Sequence, residues 1–485
     1  MRRSFLLLPV AGVAAGLIRR EDKEECGSTY KHVAVISADG LHASDIDKYV
    51  ALGPSNFSIL LSHGTQFTNA WTSAPSDSFP GTLAQFTGAS PRTHGVWYDD
   101  TYDRTYYAPG SNCSGPAGAE VVYDESIDYN DTLLFSGGIN PENLPRAIVG
   151  GKCTPIYPHK RVRVNTVFEV AVAAGLRTAY TDKHPAYDIV RGPSGTGLTT
   201  GYFPEINWAG NPTDNVTACM KYDQLHVNAW LGWLDGKNQP NAEGDIGGQI
   251  PALFGGNFQT VSVGQKTKGY VAGSLAFSSD LKKAIDFVDA SIGLLINKLK
   301  AKGIFDDTLI IVASKHGQAP IDPTQLKKID PKNLTSLIGV KTDHITTDDV
   351  ALVFLSSASD LNTAVKNLNA NKAALAIDDI IYGQRLIDLG FGDPSKDPAV
   401  PDIIIKPVLG VIYTTSATKI AEHGGLSQDD RHVACIVSNP KLAKKQVNTY
   451  VETKQIGPTI LKALGLDPSK LTGAVLEKTK PLDGF

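Results

Sequence analysis

Four side chains suited to hydrolytic chemistry stand at the edges of strand-like runs or turns that lie far apart in the chain. Asp39 follows the apolar run His32-Val33-Ala34-Val35-Ile36. Ser78 lies in Ser76-Asp77-Ser78-Phe79-Pro80-Gly81. His316 follows Leu309-Ile310-Ile311-Val312-Ala313. His423 sits in Glu422-His423-Gly424-Gly425, ahead of His432-Val433-Ala434-Cys435-Ile436-Val437. In an open α/β sheet, polar groups at the carboxyl ends of several strands converge on one crevice. A carboxylate, a hydroxyl and two imidazoles meeting there make a hydrolytic site and offer metal ligands. Lys315 precedes His316, where a metal site would want a carboxylate. Its fixed charge could activate Ser78 or pair with an oxyanion, and it would also repel a nearby cation. A second polar cluster, Asp182, His184 and Asp188, falls at another strand end, with His159, His42 and His94 as further candidates. Tyr98, Asp99 and Asp100 are placed against the substrate pocket.

Each of these groups needs an element to carry it. Residues 32–38 form a short apolar strand of the buried parallel type. Residues 45–62 read as one helix, and Gln66 to Trp71 as a strand leading to the Ser78 loop. Thr82 to Phe86 is helix-like, with Gly88 as its stop. Ser78 then lies at or just before a helix N-terminus, where N–H groups and the helix dipole favour an anion. Residues 99–160, rich in Tyr, Asp, Gly, Asn and Pro, read as a long insertion close to the site. Thr166 to Ala174 is a helix and Arg177 to Thr181 a strand, with residues 191–215 loop-like. Residues 279–302 give the clearest helix, with Leu281, Ile285, Val288, Ile292, Leu295, Ile296 and Leu299 on one face and Gly303 at the end. Residues 320–400 read as a smaller β/α portion, with Asp348 to Leu355 a strand and Asp360 to Leu375 a helix. The main sheet is expected to resume near Pro401 to Tyr413 and to end with strand 432–438 and helix Ile456 to Leu464.

With 485 residues and 42% hydrophobic content, the chain can bury a large core. The net charge of −4 shows no basic stripe, which argues against a nucleic-acid polymer as partner and leaves a small anionic molecule. Arg2-Arg3 followed by the apolar stretch Phe5 to Ile18 reads as a secretory signal over residues 1–20, and no later run is long and apolar enough to span a bilayer. Sequons at Asn56, Asn112, Asn130, Asn215 and Asn333 agree with a secreted glycoprotein. Five cysteines in an oxidising compartment should mostly pair. Cys113 with Cys153 is the preferred pair, Cys26 with Cys219 is open, and Cys435 reads as a buried free thiol.

Ser78-Phe79-Pro80 and the stretch Thr87-Gly88-Ala89-Ser90-Pro91-Arg92-Thr93-His94-Gly95, together with Asp39-Gly40, His316-Gly317 and His423-Gly424 in that order, resemble the type I phosphodiesterase/nucleotide pyrophosphatase family of the alkaline phosphatase superfamily. The resemblance covers roughly residues 30–465, and the α/β domain is expected over residues 30–470. It implies an alkaline-phosphatase-like α/β fold, with a mostly parallel sheet and helices on both faces. It also implies a serine nucleophile acting on phosphate esters beside two zinc ions. Carried over, Asp39, Ser78, His316 and His423 match metal ligands. The carboxylate expected before His316 is Lys315, and the Asp-x-x-x-His motif expected ahead of helix 279–302 has neither ligand, with Gln265 at the Asp position. The expectation is therefore one divalent ion at most, zinc by resemblance, or a metal-free Ser-Lys-His arrangement. Ser78 and Lys315 are the catalytic pair, and Asp182, His184, Gln265 and Tyr98 the substrate contacts. A same-fold enzyme turned to non-phosphate chemistry in a biosynthetic pathway, or a pseudoenzyme holding an anionic ligand, are the alternatives.

Overall fold

The structure, a computed structural model, describes residues 30–485. The signal-like residues 1–20 and Cys26 fall outside the described residues. The middle strands of the central layer are buried on both faces. In β1 (His32–Ala38), Val33 and Val35 pack into one core while Ala34 and Ile36 pack into the other. This is the period of two that successive Cβ directions impose. The sheet also contains β2 (Gly64–Phe67), β3 (Thr178–Thr181), β4 (Thr200–Tyr202), β5 (Glu243–Gly244), β6 (Leu253–Phe258) and β7 (Thr308–Ala313). A separate four-stranded sheet comes next, with β8 (Thr342–Thr347), β9 (Ala351–Leu355), β10 (Ile377–Tyr382) and β11 (Ile403–Pro407). The chain then returns to the main sheet as β12 (Cys435–Ser438) and β13 (Lys445–Val447).

The nine strands run in the order β5-β4-β3-β6-β1-β7-β12-β2-β13. From β4 to β7 they are parallel. β12 is antiparallel to both its neighbours, β7 and β2. Helices cover both faces. One layer holds α3 (Ser78–Thr87), with Val167–Ala173 and Ile456–Ala463. The other holds α1 (Ala43–Val50), α2 (Asn56–Ser62), α4 (Val216–Trp233), α5 (Thr260–Thr267) and α6 (Ser279–Ala301). The small sheet has its own apolar core, closed by helices Pro331–Ile338 and Leu361–Ala370.

Several expectations are corrected. The helix expected over 45–62 is two helices, α1 and α2, because Gly53-Pro54 interrupts it and the Ser55 side chain caps the second. The strand expected from Gln66 to Trp71 is split between β2 and Ala70–Trp71, which belong to different sheets. Residues 401–413 do not resume the main sheet: β11 pairs with β9 and β10, and Val411–Tyr413 pairs with Lys327–Ile329. An apolar run shows that a strand is buried, not which sheet buries it. β6, the direct neighbour of β1, carries no strand signal, being Leu-Phe-Gly-Gly-Asn-Phe. Its glycines allow close approach, and a Cβ on Gly255 would strike the Val35 carbonyl oxygen of β1. The segment 99–160 contains two hairpins, Asp100–Asp103 with Ala119–Val122 and Arg146–Val149 with Lys152–Pro155. The Cys113–Cys153 disulfide ties the segment together. Cys219 and Cys435 are buried and bonded to no other cysteine among the described residues.

Candidate active site

Four adjacent parallel strands end side by side, and the residue or two after each supplies a polar group to one hollow. β3 delivers Asp182 and Lys183, β6 delivers Gln259, β1 delivers Asp39, and β7 delivers Lys315 and His316. Parallel strands place their carboxyl ends on one edge, so convergence is a consequence of topology. Ser78 comes to that edge as the first residue of α3. The preceding Asp77 caps the helix, its carboxylate accepting from the Phe79 N–H at 3.1 Å. Gly81, one turn on, lies against the β7 edge so closely that a Cβ there would collide with the Lys315 carbonyl oxygen. His423 arrives from the loop before β12, its ring 3.9 Å from that of His316 and its Nδ1 3.3 Å from Asp77.

Asp39 is the hub. Its Oδ2 accepts from the Gln259 amide and lies 3.5 Å from Lys183 Nζ, 3.6 Å from Lys315 Nζ and 3.5 Å from His316 Nε2. Lys183 Nζ donates to Ser78 Oγ at 3.2 Å and to Gln259 Oε1 at 3.2 Å. Lys315 Nζ donates to Tyr187 Oη at 2.6 Å and faces Asp182 at 3.3 Å. Burial alone would push the Asp39 carboxyl up, but Lys315, His316 and Lys183 outweigh it and hold it well below the usual range. Burial would likewise push Lys183 down, but Asp39, Asp182, Asp77 and Asp99 reverse this and keep it an ammonium. At Lys315 burial prevails over Asp182 and Asp39, and its pKa falls. Burial and the neighbouring His316 hold His423 well below its ordinary value, so its ring is neutral.

The sequence profile described as Type I phosphodiesterase / nucleotide pyrophosphatase matches residues 33–424. The chain belongs to that family. Among solved structures it is similar to murine ectonucleotide pyrophosphatase/phosphodiesterase 5. The inactive form of that protein in complex with AMP superposes with a TM-score of 0.58 at 15% identity, covering 91% of this chain and 96% of the other. A second structure of the same murine protein gives a TM-score of 0.58 at 15% identity over 90% and 96%. No curated protein matches the chain significantly. The fold is therefore alkaline-phosphatase-like, and the family is one of phosphodiesterases and pyrophosphatases that typically depend on divalent metals.

The lysines of the Ser78 hollow oppose such an ion, although among the described residues the buried Asp39 Oδ1, Asp77 Oδ1, His316 Nε2 and His423 Nδ1 have no hydrogen-bond partner. Among the described residues, the two clusters in which three ligand atoms come within 4.8 Å of one another are Asp100, Glu120 and His344, and Glu125, His184 and Glu205. Neither includes Asp39, Ser78, His316 or His423. A cation on Asp39 and Ser78 would also meet both ammonium groups. Two unit charges 4 Å apart interact by about 4 kcal/mol at an effective dielectric of 20, and a dication doubles that against each lysine. The lysines take up the charge of Asp39 themselves.

The other residues singled out in the sequence divide between the hollow and its surroundings. Asp182 faces Lys315 within the hollow. His184, two residues on, turns to Glu205 at 2.8 Å. Gln265 donates to the Gly40 carbonyl at 2.7 Å and packs against His42 and Tyr270. Tyr98 is buried and donates to Asp348 at 3.0 Å and to the His423 carbonyl at 3.3 Å, so it braces the His423 loop. Asp188 pairs with His159 and Arg191, outside the hollow. His94 is buried, its Nδ1 accepting from the Val96 N–H.

Three participants carry no signal that motif reasoning would catch. Lys183 stands between Asp182 and His184, and a lysine is not a metal ligand, so a ligand pattern skips it. Gln259 comes after a strand that sequence pattern does not reveal. Asp223, on the unanticipated α4, accepts from the Gln259 and Thr260 backbone N–H groups and so holds Gln259 in place.

Proposed function

We propose that the chain is a secreted hydrolase of singly charged phosphate esters, with Ser78 as nucleophile and the Lys183 ammonium standing in for a metal ion. The observation that carries this reading is the 3.2 Å contact of Lys183 Nζ with Ser78 Oγ at the first turn of α3. An ammonium donating to the hydroxyl favours its alkoxide and stays beside the phosphoryl oxygens as charge develops. In the first step the Oγ–phosphorus bond forms and the bond from phosphorus to the leaving oxygen breaks, the serine proton ending on the departing alcohol. Water then attacks phosphorus, the Oγ–phosphorus bond breaks, and Ser78 regains a proton. Lys315 holds Asp182 and Asp39 in position.

The charge balance supports a diester over a monoester. Asp39, Asp77 and Asp182 share the hollow with the two lysines, so no positive charge is left over. A diester brings one negative charge, whereas a monoester brings about −1.5 to −2 at pH 7. Export is supported by the leader-like residues 1–20, by the Cys113–Cys153 disulfide and by exposed sequons at Asn112, Asn130, Asn215 and Asn333. Asn56 is the exception, since its amide is committed to Asp289 at 2.9 Å. Among the described residues no helix is long and apolar enough to cross a membrane.

One observation favours a second reading, a binding protein for an anion: Ser78 is 1% exposed, and Lys183, at 13%, is among the few groups of the hollow that reach solvent. Hydrolysis of bis(4-nitrophenyl) phosphate against 4-nitrophenyl phosphate separates the two. The expected result is diester turnover that falls by at least about 10³-fold in Ser78→Ala, as nucleophile deletions do, with a phosphoryl adduct on Ser78 detectable by mass spectrometry. Turnover in Ser78→Ala within tenfold of the native chain removes the covalent mechanism. Nucleotide binding without turnover selects the second reading.

A further inference from the structure

Away from the Ser78 hollow, one buried cluster of titratable groups lacks a balancing charge. Glu125 and Asp128 come from the 99–160 segment, His184 from the end of β3, and Glu205 from the chain after β4. One ligand atom from each of Glu125, His184 and Glu205 lies within 4.8 Å of the other two. His184 Nδ1 is 2.9 and 2.8 Å from the two Glu205 oxygens, one of which also accepts from the Asn207 N–H at 2.7 Å. Asp128 neighbours Glu205 and His184 and is 5% exposed. Neither of its carboxylate oxygens accepts a well-formed hydrogen bond from a donor among the described residues, and its nearest polar neighbour is the Glu205 carboxylate. A buried carboxylate without a partner is costly, and three carboxylates around one imidazole compound that cost.

We propose that Glu125, Asp128, His184 and Glu205 bind a divalent transition cation such as Zn²⁺ or Mn²⁺, at a site separate from Ser78. The donor set of one imidazole nitrogen and three carboxylates suits these ions and disfavours Ca²⁺ and Mg²⁺, which take oxygen ligands. The other cluster, Asp100, Glu120 and His344, is partly exposed, and exposed acidic groups need no ion. The cation would join the 99–160 segment to the end of β3. His184 comes directly after Lys183, so the ion would act as a positioning device for the ammonium that touches Ser78.

The test uses the full secreted chain, stripped with a chelator, dialysed and titrated with Zn²⁺ and with Co²⁺ alone. Metal per chain after gel filtration, calorimetric affinity and Co²⁺ visible absorption are the readouts, all independent of turnover. One ion per chain is expected in the native protein and in the controls Asp39→Asn and Glu120→Gln. In Glu205→Gln and Asp128→Asn the affinity should fall by at least about 100-fold, beyond the effect of losing an outer-shell partner. Should Glu205→Gln fail to fold, Asp128→Asn still decides, since the amide keeps the shape of the carboxyl it replaces. A native chain that retains no ion, or metal lost in Asp39→Asn or Glu120→Gln but kept in Asp128→Asn, overturns the proposal. Because no readout depends on hydrolysis, failure here leaves the Ser78 mechanism standing, and the reverse also holds.

Discussion

The two polar clusters at this edge of the sheet handle buried charge in opposite ways. Around Asp39 carboxylates and ammonium groups are interleaved: Lys183 and Lys315 flank Asp39, Lys315 also faces Asp182, and Asp77 faces the His423 ring. Around Glu205, one imidazole serves three carboxylates, and Asp128 accepts no well-formed hydrogen bond from a donor among the described residues. His184 and Lys183 are consecutive, so one strand end feeds both clusters. The comparison shows that a chain of a metal-dependent family can lose the charge deficit at one place and carry one a few residues away. A ligand inventory taken from the family's motif alone finds the first change and misses the second.

Removing the nucleophile should give the largest effect, a drop of at least about 10³-fold in diester turnover for Ser78→Ala, with metal content unchanged. A change in both would merge the two clusters into one device. Replacing Lys315 by Met removes the partner of Asp182 and one partner of Asp39. Breaking a buried pair on one side costs about 3–5 kcal/mol, so chemical denaturation should show a loss of that order. A loss under about 1 kcal/mol, well short of that range, would mean that Asp182 is already neutral. Lys183→Met removes a single donor to Ser78. Loss of one such donor lowers kcat by about 10²–10³-fold, with Lys183→Arg intermediate and a stability loss smaller than that of Lys315→Met, since Lys183 also pairs with Asp39 but reaches solvent. An unaffected kcat would assign Lys183 to structure.

At neutral pH the smallest effect concerns imidazoles outside both clusters, because it emerges only on acidification. Burial pushes His94 and His226 down to about 3, well under the ordinary value near 6.5. The folded-state pKa lies below the unfolded one, so between those values the unfolded chain binds protons that the native chain refuses. Stability is then full above about pH 6.5 and falls with acidity toward pH 3, with a slope from these two groups of at most about 2.7 kcal/mol per pH unit. Equilibrium unfolding at several pH values checks this. A His94→Gln/His226→Gln variant with the native slope would reassign the acid sensitivity to the carboxylates.

Much of the arrangement is legible in the chain. Asp39, Ser78, Lys315, His316 and His423 sit beside unmistakable strand or helix signals, and parallel strands bring the residues just past their carboxyl ends to one edge. Asp182 is legible for the same reason. Lys183 is equally near a strand end, but a site expected to hold metal points to carboxylates and imidazoles rather than to a cation of its own. Gln259 and Asp223 are out of reach: β6 is disguised by its two glycines, and α4 lies beyond a stretch that reads as loop. Gln265 matches a motif position by register, whereas the contact with Asp39 is made by Gln259, six residues earlier at the strand end. The sheet membership of residues 401–413 illustrates a further limit, since partner choice is a long-range property that no local pattern carries.

Gly81 has a consequence for how precisely this protein is tuned. The helix that bears the serine leans directly on the main chain ahead of the second imidazole-bearing turn, with no side chain as spacer. One added methyl there would act as a wedge, driving the serine away from the strand edge while leaving every charged group intact. The reach of the hydroxyl is thus set by an absence of atoms, and an alanine at that position would separate distance from chemistry in a single substitution.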